Sequence, residues 1–347
     1  MSLERHAKAG RVLTMDLIQE RRSHFLLFLS LLLVVLFFAS LFLGRYPKPY
    51  WMSPELLQQD ALARQLVFNL RLPRLLIAVL LGMSLAGAGA VMQMIFRNPL
   101  VEPGFLGVSQ GAAFGAALSI VFIGSSAVAM EGFAALFAFL GLAFSYGLAR
   151  RLRYGGGVLR LVLAGIAVSA LFSAGVGALK YLSDPLSQLP EITFWLLGGL
   201  WGATWEDLLY IAPVVLPALV IMYLMRWRVN LLSLNDETAF SLGVSPVRER
   251  LLLLVAAVSA TAAVVAVAGI VGWVGLIVPH IARRLQGSDG MSVVPASMVI
   301  GAIFVLLCDD VARSLIAGEI PLGILTAFIG ALVFALLMMS SRVRSRE

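Results

Sequence analysis

LRLPRLLIAVLLGMSLAGAGAVMQMIFRNPLVEPGFLGVSQGAAFG, residues Leu70 to Gly115, carries the pattern that decides the fold. Arg71 and Arg74 stand before roughly twenty apolar residues, enough for a helix to cross a bilayer. The run ends in Arg97-Asn98-Pro99, a polar break that stops a helix. A second helix is expected to open at Pro103-Gly104 and to carry Gly107, Gly111 and Gly115 on one face. Small residues on one face let helices approach closely in lipid, where no hydrophobic force drives them together.

The rest of the chain extends this reading. Of 347 residues, 60% are hydrophobic and 13% charged, about half the charged share of a soluble domain. So much apolar surface needs lipid as its solvent. The net charge of +7 does not point to nucleic acid, because the arginines cluster between apolar runs instead of forming a basic patch with interleaved aromatics. The single cysteine, Cys308, lies in an apolar run and can build neither a disulfide framework nor a metal site.

Read in order, residues 1–22 form a basic N-terminal segment, followed by apolar spans at 25–43, 72–96, 105–123, 127–149 and 158–180. Residues 45–69 read as an outer loop whose Tyr46, Tyr50 and Trp51 sit at the interface. A short helix after Pro190, in a stretch with Trp195, Trp201 and Trp205, is too short to cross and suits a half-helix or an interfacial one. Further spans follow at 208–227, 251–271, 292–313 and 321–341, with a short apolar segment at 272–285. Counting that segment as a crossing places Arg283, Arg284, Arg342, Arg344 and Arg346 on the same side as the other basic clusters. The expectation is therefore an all-α polytopic protein with about ten transmembrane helices and both ends inside. A single transmembrane domain is expected over 23–342, with a tail at 343–347. On this topology all but seven of the 26 Lys and Arg residues (Arg45, Lys48, Arg64, Arg71, Arg74, Lys180, Arg313) are cytoplasmic. Residues 71–180 and 248–341 also share an order of arginines, leucine run, small residues and Pro-broken segment, starting from opposite sides, as in an inverted repeat.

Catalytic chemistry has little footing here. Gly107-Val108-Ser109-Gln110-Gly111 matches the G-x-S-x-G nucleophile elbow, but its flanks are helical and apolar where that motif needs a strand-to-helix turn beside a histidine. No closely spaced metal-ligand cluster occurs, and no cofactor motif does either. The three lysines, Lys8, Lys48 and Lys180, do not follow a glycine, so the chain has no P-loop. If it pumps, a partner supplies the ATPase.

Two clusters suggest partners. In the inner stretch 229–250, Asn235 or Asp236 can cap a short helix that Gly243 stops, and Ser245-Pro246 can open another. Two short helices joined by a tight turn would then form a rigid knob that Ala239, Phe240, Leu242 and Val244 seat in a partner groove, the alternative being a solvated loop. Arg71, Arg74 and Arg313 fall at the outer edge, against the positive-inside trend. They either snorkel to lipid phosphate or meet an acidic partner, and Asp309, Asp310 and Glu319 are close enough in sequence to Arg313 to pair with it instead.

RLPR at 71–74, GAGAVMQ at 87–93, RNPLVEPGFLGVSQGA at 97–112, VGWVGLIVPHIARRL at 271–285 and DDVARSLIAGEIPLGILTAFIGA at 309–331 together resemble the FecCD family. Those proteins are membrane subunits of ABC importers for iron-siderophores, haem and cobalamin. The resemblance implies the type II ABC importer permease fold, a homodimer with a central pathway in the inner (cytoplasmic) membrane, two cytoplasmic ATP-binding subunits and an extracytoplasmic substrate-binding protein. It implies that Arg71, Arg74 and Arg313 dock the binding protein. Asn235, Asp236, Ala239, Phe240, Leu242, Gly243 and Val244 would couple to the ATPase. Asn98, Pro99 and Leu100 would lie at the inner mouth as a gate, with Gly107 and Gly111 along the pathway. The cargo implied is a ferric siderophore, with cobalamin, haem or an oxyanion such as molybdate open. A partner-free secondary transporter would need ionisable groups at mid-membrane, and a hydrolase would need Ser109.

Overall fold

The computed structural model describes residues 2–47, 50–153, 156–316 and 318–344. The side chains of Arg5, Lys8, Arg11, Arg21, Arg342 and Arg344, together with Gly155 and Arg346, lie outside the description. The order is α1 (Ser2–Phe42), a two-residue hairpin β1 (Leu43–Gly44) and β2 (Tyr50–Trp51), α2 (Leu56–Gln59), α3 (Ala61–Gln65), a π-turn at Leu66–Arg71, and α4 (Leu72–Ile95). A 3-10 turn at Pro103–Leu106 leads to α5 (Val108–Phe122), α6 (Ala127–Arg151), α7 (Gly157–Leu182), α8 (Gln188–Leu197) and α9 (Trp205–Leu224). Then come α10 (Arg226–Leu232), α11 (Asp236–Ser241), α12 (Pro246–Ala268), α13 (Val274–Gln286), α14 (Gly290–Ser314) and α15 (Leu322–Arg344).

Eight helical stretches are long and apolar enough to cross a membrane: 22–42, 61–95, 127–151, 157–182, 205–224, 246–268, 290–314 and 322–339. The protein is a multi-pass, all-helical membrane protein. Segments 105–123 and 272–285, expected as spans, are shorter helices than the others. The 15 residues of α5 and 13 of α13 rise only about 22 and 20 Å.

Each short helix is one half of a crossing whose other half is unwound. The Gly107 backbone touches Gly141 midway along α6, and the Leu106 carbonyl accepts from Ser145 Oγ at 2.9 Å. So the chain climbs irregularly from the end of α4 to mid-depth before α5 begins. Conversely, 269–273 is irregular between the end of α12 and α13. There Gly275 packs against Leu85 in the middle of α4 and Trp273 against Gly330 of α15. Irregular backbone at such depth is tolerated because it is enclosed by protein.

The outer loop expected at 45–69 is partly helical: 61–95 forms one continuous helical stretch through the π-turn. Asp60 starts it by accepting the Leu62 N–H, a cap that a polarity count does not weigh. Tyr46 Oη donates to Asp60 at 2.5 Å, and that bond, with the Leu62 N–H, holds the carboxyl below its ordinary range.

α4 is the centre of the bundle. It is buried nearly all round, while α1, α6 and α15 keep wide apolar faces exposed, as lipid-facing helices do. α4 crosses α14 where Gly82 meets the Gly301 backbone, with no room for a side chain on either helix. α8 stays too short to cross, as expected, and is tied to the end of α5 by Gln188 Nε2, which donates to the Ile120 and Val121 carbonyls at 3.3 Å.

Candidate functional site

Three regions concentrate polar side chains, one at each face and one at mid-depth. At the predicted outer face, α4, α14 and the end of α1 meet in a charged cluster. Arg74 Nε donates to both oxygens of Asp309, at 3.0 and 3.2 Å, and Arg74 Nη1 donates to both oxygens of Glu319 at 2.8 Å. Arg313 donates to Asp310 and to the Ser40 carbonyl, and Ser40 Oγ donates to Asp310 at 2.6 Å. Asp309 is completely buried and Arg313 nearly so. Two buried carboxylates and two guanidiniums thus neutralise one another, the arrangement that makes buried charge tolerable.

The sequence set Arg71, Arg74 and Arg313 together as an outer group, and the structure brings them together around one cleft of about 220 Å³. It also distinguishes them. Arg74 and Arg313 spend their donors on internal carboxylates, whereas Arg71 is half-buried and donates to the Leu41 carbonyl at 2.8 Å. Arg45, which sequence reasoning left among loop residues, joins the same cleft and donates to the Ser314 carbonyl at 3.2 Å. Its only signal was one more outer arginine against the charge trend.

At mid-depth the two unwound segments face each other. Gln93 on α4 donates to the Gly275 and Leu276 carbonyls at 3.2 and 3.1 Å, and Arg283 donates to the Gln93 side-chain oxygen. Glu102 accepts from the Trp273 backbone N–H. A cavity of about 330 Å³ lies there, lined by Glu102, Ser109, Gln110, Ser169 and Thr261. Nearer the inner face, His280 Nε2 donates to the Pro99 carbonyl at 2.9 Å, the Asn98 side chain accepts from Leu100 N–H, and Leu100 is exposed. The gate candidates Asn98, Pro99 and Leu100 therefore lie beside α13. Gly107 and Gly111 pack against α6, the latter on the Phe137 backbone. Ser109 sits in the first turn of α5, after a 3-10 turn and not after a strand. Among the described residues no group of three His, Cys, Asp or Glu side chains could hold a metal ion.

At the predicted inner face, α11 forms where the capping residues placed it. Asn235 Oδ1 accepts the Thr238 N–H at 2.9 Å, and Gly243, at φ +81°, ends the helix in the left-handed region. The helix that opens at Ser245-Pro246 is not a second short one: it is α12 itself, which starts several residues earlier than its apolar run. The charged first turn extends α12 because Glu249 accepts from the Ser245 N–H at 3.2 Å and from Arg228 at 2.6 Å. Asp236 pairs with Arg250 at 2.8 Å, fixing α11 to α12. The four apolar residues of this knob divide. Ala239 and Val244 are buried in the body of the protein, while Phe240 is 72% and Leu242 53% exposed. An exposed pair of large apolar side chains on a capped, pinned helix is suited to contact with a partner.

Comparison with known proteins accords with this architecture. A family model described as the FecCD transport family matches residues 32–340. The molybdate import system permease protein MolB of Haemophilus influenzae is 42% identical over 319 residues, covering 89% of this chain and 94% of that protein. The hemin transport system permease protein HmuU of Yersinia pestis is 39% identical, over 91% of this chain and 95% of that protein. A solved metal-chelate type ABC transporter in an inward-facing conformation superposes with a TM-score of 0.84 at 42% identity, over 92% of this chain and 99% of that one.

Proposed function

We propose that this chain, which belongs to the FecCD transport family, is the membrane-spanning permease subunit of an ATP-driven ABC importer that passes a metal chelate of the ferric siderophore type. The observation that carries the reading is the family match over residues 32–340 of a bundle built on eight membrane-length helices and two half-unwound crossings. The resemblance to a metal-chelate type transporter supports the cargo class. A second cargo reading, an oxyanion such as molybdate, is favoured by the 42% identity to a molybdate permease. Cobalamin and haem belong to the same architecture.

The mechanism follows from the chain's lack of a P-loop. Two ATP-binding subunits bind and hydrolyse ATP on the inner side, and a second copy of this chain completes the central pathway. α11 transmits the movement of the ATP-binding subunits through Phe240 and Leu242, held by the Asn235 cap and the Asp236–Arg250 pair. A binding protein docks on the outer face at the arginine cleft, where Arg71 and Arg45 bond to carbonyls and have no carboxylate partner among the described residues. The inner membrane is the location, with both termini on the cytoplasmic side, as the distribution of Lys and Arg supports. The complementary placement of the two unwound halves, inner for 96–107 and outer for 269–273, supports the inverted repeat of 71–180 and 248–341.

Uptake assays in cells lacking the native importer test the cargo. Rescue by ferric siderophore, and not by molybdate, haem or cobalamin, is expected. Rescue by molybdate alone would select the second reading.

A further inference from the structure

At the predicted inner face, a cavity of about 590 Å³ opens between the ends of α4, α6, α7 and α12 and the first turn of α11. Its charged lining is uneven: Arg97, Arg160 and Arg250 against the single carboxylate of Asp236. Arg160 Nη1 donates to the Leu152 carbonyl at 3.1 Å, and Arg250 Nη2 to the Leu232 carbonyl at 3.0 Å. Both residues nevertheless keep an Nε–H that is shut off from solvent and meets no acceptor. Those two N–H groups are out of reach of anything the cavity holds, so what Arg160 and Arg250 can offer a ligand there is the remaining Nη–H groups of their guanidinium forks.

Arg97 supplies a third observation. It stops α4 at φ +48°, a conformation that ordinarily goes to glycine or asparagine, and its side chain is exposed with no ion pair among the described residues. An arginine at a position whose backbone favours glycine places a guanidinium at the cavity wall at a conformational cost.

We infer that this cavity binds a tetrahedral oxyanion of the phosphate or sulfate class, gripped by Arg97, Arg160 and Arg250. Guanidinium forks match such oxygens in bidentate pairs and stay charged at any working pH. The same group can reach the cavity free in solution or as the headgroup phosphate of an anionic lipid, since the ends of membrane-length helices form it at the predicted inner face. Binding there competes with Asp236 for Arg250 and so acts on the pin between α11 and α12. The inference stands on the cavity itself and does not depend on the cargo or on the ATPase.

The test uses the purified full chain, with any co-purifying subunits, in nanodiscs of pure phosphatidylcholine. Radiolabelled sulfate is titrated at constant ionic strength. A parallel set of discs contains phosphatidylglycerol, and bound lipid is read by native mass spectrometry. Saturable sulfate binding is expected, weakened about tenfold or more by Arg97→Gly and by Arg160→Gln, the loss of one charge-assisted contact. Asp236→Asn, which removes the competitor, is expected to tighten it. Retention of phosphatidylglycerol that the same variants abolish, without sulfate binding, assigns the site to the lipid headgroup. Arg97→Gly suits its backbone, so it decides the matter even if Arg160→Gln fails to fold. Neither anion bound, or binding indifferent to Arg97→Gly, overturns the inference.

Discussion

Arg74 on α4 holds Asp309 on α14 through two hydrogen bonds of 3.0 and 3.2 Å while its other arm holds Glu319. Asp309 is fully buried, and Arg313 lies 3.6 Å from it on the other side. This pair joins the two most intimately packed helices of the bundle at the predicted outer face. Asp309→Ala removes the fully buried carboxylate between Arg74 and Arg313, while Arg74 keeps Glu319 and Arg313 keeps Asp310. Losing charge-assisted hydrogen bonds of this kind costs about 1.5–3 kcal/mol. Thermal unfolding of the detergent-solubilised protein is expected to show a marked fall in Tm. An unchanged Tm would mean that the cluster contributes no net stability.

Because Arg74 is enmeshed, Arg71 is the cleaner probe of binding-protein docking. Arg71→Glu reverses a half-buried charge whose described partner is a carbonyl. Affinity of the binding protein, measured by surface plasmon resonance on the reconstituted complex, is expected to fall about tenfold or more, since charge-assisted pairs across an interface contribute more than one such factor. The ATP-binding subunit should remain attached. Unaltered affinity would remove Arg71 from the docking surface.

Phe240→Asp combined with Leu242→Asp changes two exposed side chains and spares the buried Ala239 and Val244 and the Asn235 cap. The chain is expected to fold and insert normally but to lose the ATP-binding subunit during affinity purification. Co-purification at the wild-type ratio would refute the contact.

These variants also mark what was legible in the sequence. Capping residues are local signals, so Asn235, Gly243 and Pro246 placed α11 and the start of the next helix correctly. Whether that next helix was a short one or the span itself depended on Glu249 bonding back to Ser245 and Arg228, a contact invisible to hydropathy. Likewise the arginines stood out by charge, but their allocation did not. Asp309 is 235 residues from Arg74, and only the crossing of α4 and α14 brings them together. The half-unwound crossings were read as spans because apolar composition does not distinguish helix from enclosed irregular backbone. The cavity arginines drew no attention because positive-inside placement already accounted for them.

The crossing itself is testable. A Cβ on Gly82 would meet the Gly301 backbone, which cannot move aside as a side chain could. Gly82→Ala is expected to destabilise by about 1–3 kcal/mol, the range for overpacking. Gly177, whose added Cβ meets open space, is the control. Equal Tm for the two alanine variants would contradict the close approach.

The central claim is that this chain moves cargo only when partners bind and hydrolyse ATP. The most direct measurement is ATP hydrolysis by the chain and its ATP-binding subunit in proteoliposomes, with and without cargo-loaded binding protein, alongside uptake into the lumen. The account predicts that loaded binding protein stimulates hydrolysis and that uptake stops when ATP is withheld. Uptake that proceeds without ATP or the ATP-binding subunit would contradict it.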